Sequence, residues 1–315
     1  MNGKPLILGL GEIVKDWVSL VPWFPKPDEK IDAELEEYFG GGVTANYVVS
    51  TSRLGVPSAF IGAVGDDAAG QYLLDDLKSE GVNILYAKKI KGASSPVNFI
   101  FVIKDTGEKT IIQSPFMQST KLSINDIHPE MFQGVKLLHT TCIHPEITLK
   151  AMKLAKEAGA TISLDLESQI ALRGMKSLLP FLSYVDVLLP NKMGAMTLTQ
   201  RATPLQAAKE FIKMGIKTVV ITLGEEGAMG VTKEGVIESP AFSVQSVDAT
   251  GAGDAFCGGF CFAHIIQKWE LQKSLIFANA CAALKVTKLG ARTGMPTLPE
   301  VTSFLNTHNH PEYMK

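Results

Sequence analysis

Residues 247–260 read VDATGAGDAFCGGF, and this stretch decides how the rest of the chain is read. A strand-like lead-in is followed by Gly251 and Gly253, two apart, and then by an apolar helix. Backbone N–H groups of Gly251, Ala252 and Gly253 are expected to open that helix, where unpaired amides and the helix dipole favour an anion. Small residues suit the position because an anion's oxygens must approach the main chain closely. Asp254 comes next. A carboxylate beside an anion site is unfavourable unless it has a task, and taking a proton from an attacking hydroxyl is such a task. The plainer reading is that Asp254 only favours the helix N-terminus. Spacing alone leaves both open.

Outward from this stretch the pattern is regular. VKLLHTT (135–141), ATISLDL (160–166), VDVLLPN (185–191) and KTVVITLG (217–224) read as strands. Between them, PEITLKAMKLAKEAG (145–159), LRGMKSLLPFLS (172–183) and LQAAKEFIKMG (205–215) read as helices. PLILGL (5–10) and PSAFIGAVG (57–65) add two buried strands, with helices expected over 43–54 and 66–81 and glycine stops at Gly55 and Gly81. Residues 227–240 form a hairpin around Glu234-Gly235, and 253–268 and 271–288 read as two long helices. Strands alternating with helices predict an α/β fold: a doubly wound, mostly parallel sheet with helices on both faces. Ligands in such folds bind at the carboxyl ends of the strands. Three segments differ. Residues 12–21 and 31–39, separated by WFPKPDEK, and the hairpin 97–115 around Asp105-Thr106-Gly107-Glu108 mix charges with β-formers and predict strands exposed on one face.

The chain has 315 residues and a formal net charge of -2, from 30 Lys+Arg against 32 Asp+Glu. It has no basic excess to draw it to nucleic acid or to an anionic membrane. No window approaches a membrane span, the first seventeen residues lack the layout of a signal peptide, and a cytoplasmic location is expected. Cys142, Cys257, Cys261 and Cys281 have no zinc-like spacing and are expected to be buried, reduced thiols. The tail HNHPEYMK is polar and expected to fray. Neither a Walker-type G-x-x-x-x-G-K-[ST] loop nor a protein-kinase H-R-D…D-F-G set occurs.

With D-x-T-G-A-G-D-A-F at 248–256, GGGVTANYVVSTSRLG at 40–55 and GAVGDDAAG at 62–70, the chain resembles the ribokinase or PfkB family of carbohydrate kinases. The resemblance runs from GLGEIVKDW (9–17) to ANACAALKVTKLGA (278–291) in the same order and spacing. It implies a single ribokinase-like α/β domain over 1–315, with a small β-sheet lid formed by about 12–39 and 94–116. The implied activity is transfer of phosphate from ATP, with Mg2+, to the primary hydroxyl of a small sugar or sugar acid. Asp254 would be the general base and Gly251, Ala252 and Gly253 the anion hole. Asp16, Gly41, Gly42 and Asn46 would meet the sugar. Asn191, Thr222, Gly224, Gly227 and Asn279 would meet the nucleotide. Asp248 and Thr250, with backbone carbonyls near Lys285, Lys288 and Gly290, would form a monovalent-cation (K+) site. Exposed β-edges in the lid suggest a homodimer through it.

The chain also departs from the family. The family's Asn-x-x-Glu is here Asn191-Lys192-Met193-Gly194, so an acid expected to organise magnesium-bound water is missing, with Glu225 or Glu226 as candidate substitutes. Residue 43 is Val where ribokinases carry Lys, and Asp165-Leu166-Glu167-Ser168 does not match D-x-N-x-R; either acid could contact substrate. Gly294 stands where the cation site often has a hydroxyl. Two further readings stay open. One is a nucleoside kinase, for which Trp17, Trp23, Phe99 and Phe101 would supply aromatic stacking. The other is a sugar-binding protein of weakened catalysis, motivated by Gly194.

Overall fold

The computed structural model describes residues 4–313; Met1–Gly3 of the N-terminal stretch and Met314–Lys315 of the tail lie outside the described residues. Among the described residues thirteen strands form in chain order: β1 Ile7–Leu10, β2 Val14–Val21, β3 Leu35–Gly41, β4 Ser58–Gly65, β5 Asn83–Ile90, β6 Val97–Ile103, β7 Lys109–Ile112, β8 Leu137–Thr140, β9 Thr161–Leu166, β10 Val187–Pro190, β11 Thr218–Thr222, β12 Ala228–Val231 and β13 Val236–Ser239. Nine of them make one sheet in the order β13-β12-β11-β10-β9-β8-β1-β4-β5. It is parallel from β5 to β11, and β12 and β13 close one edge antiparallel. This is the doubly wound sheet that the alternation predicts. The apolar strands are apolar because helices cover both faces. Every residue of β1, β4, β8 and β10 is buried, and two large hydrophobic clusters lie against the sheet.

The other four strands form a separate sheet, β3-β2-β6-β7. Alternation sorts its two faces. Val14, Asp16 and Val18 on β2, with Asn98, Ile100 and Val102 on β6, are buried; Phe99 is exposed and Trp17 half-buried. A small core of Val18, Ile100 and Val102 packs on Phe39 and Leu289 and ties this sheet to the body.

Chain order reverses at β1, which leads first to β4 and β5 on one side and later pairs with β8 on the other. The crevice at the carboxyl ends of β1 and β8 is therefore where this topology leaves room for a ligand.

Several expectations need correction. β5 was not expected; it is an edge strand whose charges face solvent, so it has no apolar run to betray it. Helices Lys192–Thr199 and Leu298–Thr307 also went unread, the first because Gly and Thr weaken its pattern. The helix expected over 253–268 is α-helical only over Ala252–Cys261 and then widens into a π-helical turn, Phe262–Ile266. Phe262 there packs edge-on to Trp269, with ring centroids 6.1 Å apart. The tail does not fray over 308–313. Tyr313 is 3% exposed, packs on Trp269 and Phe277, and donates its hydroxyl to Lys273 O at 2.7 Å. All four cysteines are buried and unpaired, as expected. Among the described residues no helix is long and apolar enough to cross a membrane.

Candidate active site

A cavity of about 430 Å³ lies between the carboxyl ends of the large sheet and the inner face of the small one. The helix Ala252–Cys261 points its N-terminus at it. Gly251 caps that helix with a left-handed backbone (φ 79°), which a side chain would strain. Gly251 and Gly253 line the cavity, and the amide of Ala252 turns back to Ala249 O at 3.2 Å. Ala252 therefore has no free amide to offer the anion expected at this helix start.

Asp254 sits in the first turn and is 8% exposed. Its Oδ2 accepts a 2.7 Å hydrogen bond from Asn46 Nδ2; among the described residues its other oxygen has no protein partner, and the residue faces the cavity. Asn46, inside the helix Val43–Arg53, is held in turn by Arg292, whose Nε donates to Asn46 Oδ1 at 2.8 Å. Arg292 also donates to Gly41 O at 2.8 Å and pairs with Asp76. One guanidinium therefore ties β3, the 43–53 helix and the helix Ala68–Ser79 to the residue beside Asp254. Burial pushes the Asp254 carboxyl up to about 7, with Asn46 and Arg292 opposing the rise and Glu12 adding to it.

Asp16 reaches the cavity from β2. Its Oδ1 accepts from Asn98 Nδ2 at 3.1 Å, across the register pair of β2 and β6, and burial raises it to about 6. Asn98 Oδ1 accepts from Ser114 N, so that amide's orientation is fixed. Gly42 and Val43 also line the cavity; Gly41 contributes through its carbonyl to Arg292. From β7, Lys109 extends over the opening and donates to Thr250 Oγ1 at 2.8 Å, joining the small sheet to the anion cradle.

Three more acids line the same cavity. Glu12, after β1, accepts from Thr141 Oγ1 at 3.0 Å. Asp165 is the penultimate residue of β9 and Glu167 follows its end. Burial raises all three, Glu167 to about 7, and their mutual charge and that of Asp254 raise Asp165 and Glu167 further. Among the described residues these acids form no cluster arranged to hold a metal ion by themselves.

The position of Gly194 explains the missing acid. A Cβ there would lie 2.4 Å from Leu166 O and 3.2 Å from Glu167 C. The end of β9 occupies the space, and it brings Glu167 itself. Glu225 and Glu226, offered above as substitutes, stand on an exposed turn, where Glu226 pairs with Lys192 at 3.3 Å.

Of the residues expected to meet a nucleotide, Asn191 and Thr222 line the cavity where β10 and β11 end and bridge to each other. Asn191 Oδ1 also caps its helix, accepting from Gly194 N at 2.6 Å. Gly224 and Gly227 flank the turn beyond, outside this cavity, and Asn279 is buried with its Nδ2 donating to Ser239 and Pro240. Asp248 and Thr250 stand directly before the cradle, Thr250 N donating to Asp248 Oδ1 at 2.8 Å. The aromatic residues offered for stacking are not in the cavity. Trp17, Phe99 and Phe101 lie together on the outer face of the small sheet, and Trp23 is 51% exposed.

Asn98 and Lys109, which line the cavity, and Arg292, which holds Asn46, lie outside the set of residues expected there. Asn98 alternates with apolar residues on a β-strand, a signal that could have marked it.

A family model described as pfkB family carbohydrate kinase matches residues 4–298. The chain is similar to a ribokinase of Haemophilus influenzae, 30% identical over 302 residues, covering 94% of this chain and 97% of the relative. It is also similar to a solved Arabidopsis thaliana ribokinase with ribose and ATP, at TM-score 0.82 and 26% identity, covering 96% and 98% of the two chains. A fructokinase double mutant from Vibrio cholerae O395, solved with fructose, ADP and a potassium ion, aligns with TM-score 0.79 and 26% identity over 96% and 98%.

Proposed function

The chain belongs to the pfkB family of carbohydrate kinases and is a phosphotransferase; from this premise we propose that it moves the γ-phosphate of ATP to a primary hydroxyl of a small sugar, with Asp254 as the base. The observation that carries this reading is the Asp254 carboxylate, which lines the cavity beside Gly251 and Gly253, one oxygen fixed by Asn46 and the other without a protein partner among the described residues. The sugar hydroxyl gives its proton to the free oxygen as its own oxygen attacks the γ-phosphorus, and the bond from that phosphorus to the bridging oxygen breaks, releasing ADP. Charge developing on the transferred group is met by the helix N-terminus and by Lys109. Asp16, Asn98 and Asn46 offer the sugar directed acceptors and donors. The small sheet acts as a lid that keeps water from the nucleotide. Adenine would lie past Thr222, along the turn carrying Gly224 and Gly227 and toward the Asn279 helix.

A sugar is favoured over a nucleoside because the lid's inner face presents Val14, Ile100 and Ile111 with Asp16 and Asn98, while its aromatic rings face out. The cavity also falls in the size class of small-ligand sites. The test is ADP release over a panel of furanoses, sugar acids and nucleosides. Turnover with one sugar class supports the reading; turnover with nucleosides alone overturns it.

Magnesium, when bound, would be held mostly by the phosphates and by water and would offset their charge. Glu167 would hold it, through water, in place of the acid absent at 194. Glu167→Gln is expected to raise the Mg2+ concentration for half-maximal turnover by about tenfold to a hundredfold. A magnesium titration checks this, with Glu225→Gln and Glu226→Gln expected to behave as wild type.

The outer face of the lid carries a row across four strands, Tyr38, Trp17, Phe99 and Ile112, in one register. Tyr38, Phe99 and Ile112 are 56%, 41% and 55% exposed, respectively. A second copy covering this face would make the expected homodimer. Sedimentation should give a dimer for wild type and a monomer for Phe99→Glu.

A further inference from the structure

The place expected to hold K+ does not fit a metal ion in this chain. Lys285 ends the helix Leu271–Lys285 and is 0% exposed. Its Nζ donates to Asp248 O at 2.8 Å and to Lys288 O at 3.3 Å, two of the carbonyls that an ion there would need. Both oxygens of the Asp248 carboxylate are engaged as well, Oδ1 by Thr250 N and Oδ2 by Gly290 N, each at 2.8 Å. Position 294 has no room for a ligating side chain, since a Cβ would lie 2.3 Å from Lys285 O.

An ammonium and K+ carry the same charge and are both satisfied by carbonyl oxygens. We propose that the Lys285 ammonium is a built-in monovalent cation, holding the 248–250 segment to the 285–290 turn directly behind the anion cradle, so that this kinase works without K+. The segment it holds ends at Thr250, whose hydroxyl accepts from Lys109 and whose next residue, Gly251, caps the catalytic helix. Lys285 is thus a positioning residue, and its charge stands behind the amides that would face the phosphoryl group. A tethered cation has a local concentration that the salt in solution does not alter. Burial lowers the ammonium to about 8, and the neighbouring Asp248 opposes that fall.

The inference rests on the kinase reading for its turnover but not for its thermal behaviour, so the test uses both. Wild type, Lys285→Ala and Lys285→Met are melted, and assayed for ADP release with Mg2+, in KCl and in choline chloride of equal ionic strength. For wild type, the same melting temperature is expected in both salts and turnover within about twofold. Lys285→Ala should melt lower in choline and recover selectively and saturably with K+, regaining kcat more than KM. Lys285→Met fills the space without charge; it should lose about tenfold in kcat and ignore K+. K+ activation of wild type by tenfold, wild-type kcat in Lys285→Met, or an alanine variant that recovers equally in choline and KCl would each overturn the proposal. Should no sugar turn over, the kinase reading fails while the thermal comparison still decides the role of Lys285.

Discussion

Asp254→Asn is expected to lower kcat/KM by about 10³-fold while the protein stays folded and gains thermal stability. The substitution keeps size and leaves a partner for Asn46, but an amide cannot take the proton of an attacking hydroxyl. The gain in stability follows from the same burial that makes the base. With its carboxyl raised to about 7 in the folded protein from an ordinary value of 3.8, Asp254 binds a proton in the folded chain at pH values where the unfolded chain has lost it. That contribution is present at low pH and is lost as pH rises through about 7, so above it the folded state carries an ionised buried acid. The melting temperature of Asp254→Asn should therefore exceed wild type by more at pH 8 than at pH 5. In the wild type, kcat/KM should fall as pH drops below about 7, because only the ionised base works. Coupled ADP release measures the rate, and calorimetry the stability. A variant that retains a tenth of wild-type kcat/KM would remove Asp254 from the chemistry and leave it as a helix-terminus residue.

The residues legible in the sequence are those whose meaning is local. Gly251, Gly253 and Asp254 stand within four positions, so a helix N-terminus with an acid behind it could be read directly. The sheet was legible for a related reason. Strands buried on both faces must be apolar throughout, and the helices between them end in glycine, as at Gly55, Gly81 and Gly159, all with positive φ. What was hidden depends on contacts between distant residues. Arg292 meets Asn46 across 246 positions, and Lys109 meets Thr250 across 141. Lys285 looks in sequence like any basic residue closing a helix; only its burial beneath Asp248 and Lys288 sets it apart. Glu167 was weighed only as a substrate contact, because its relation to Gly194 lies in the packing of β9 against the helix that follows Asn191. Asn279 shows the opposite case. Its small alanine neighbours suggested room for a base edge, yet its Nδ2 is spent on holding residues 239 and 240.

Arg292→Met should destabilise the protein by about 3 kcal/mol or more and move the acid limb of the pH profile upward, a pairing of effects that a purely structural residue would not give. Arg292 is 5% exposed, and its guanidinium serves three acceptors at once: Asn46 Oδ1, Gly41 O and the carboxylate of Asp76. Methionine fills much of the volume but leaves all three without their donor, and an acceptor buried without a donor costs more than the bond was worth. The charge matters separately. Arg292 is one of the groups holding the Asp254 carboxyl down against burial, so removing it lets that value rise above about 7. The loss of kcat/KM should therefore be large at pH 6.5 and shrink at pH 9, where the base is ionised in both proteins. Arg292→Lys separates the two contributions. It restores a positive charge but not the planar fork, so the pH limb should return most of the way to wild type while the melting temperature stays low. If Arg292→Met loses stability with an unmoved pH limb, Arg292 only braces the lid strand and the 43–53 helix, and the value of Asp254 is set by burial and Asn46 alone.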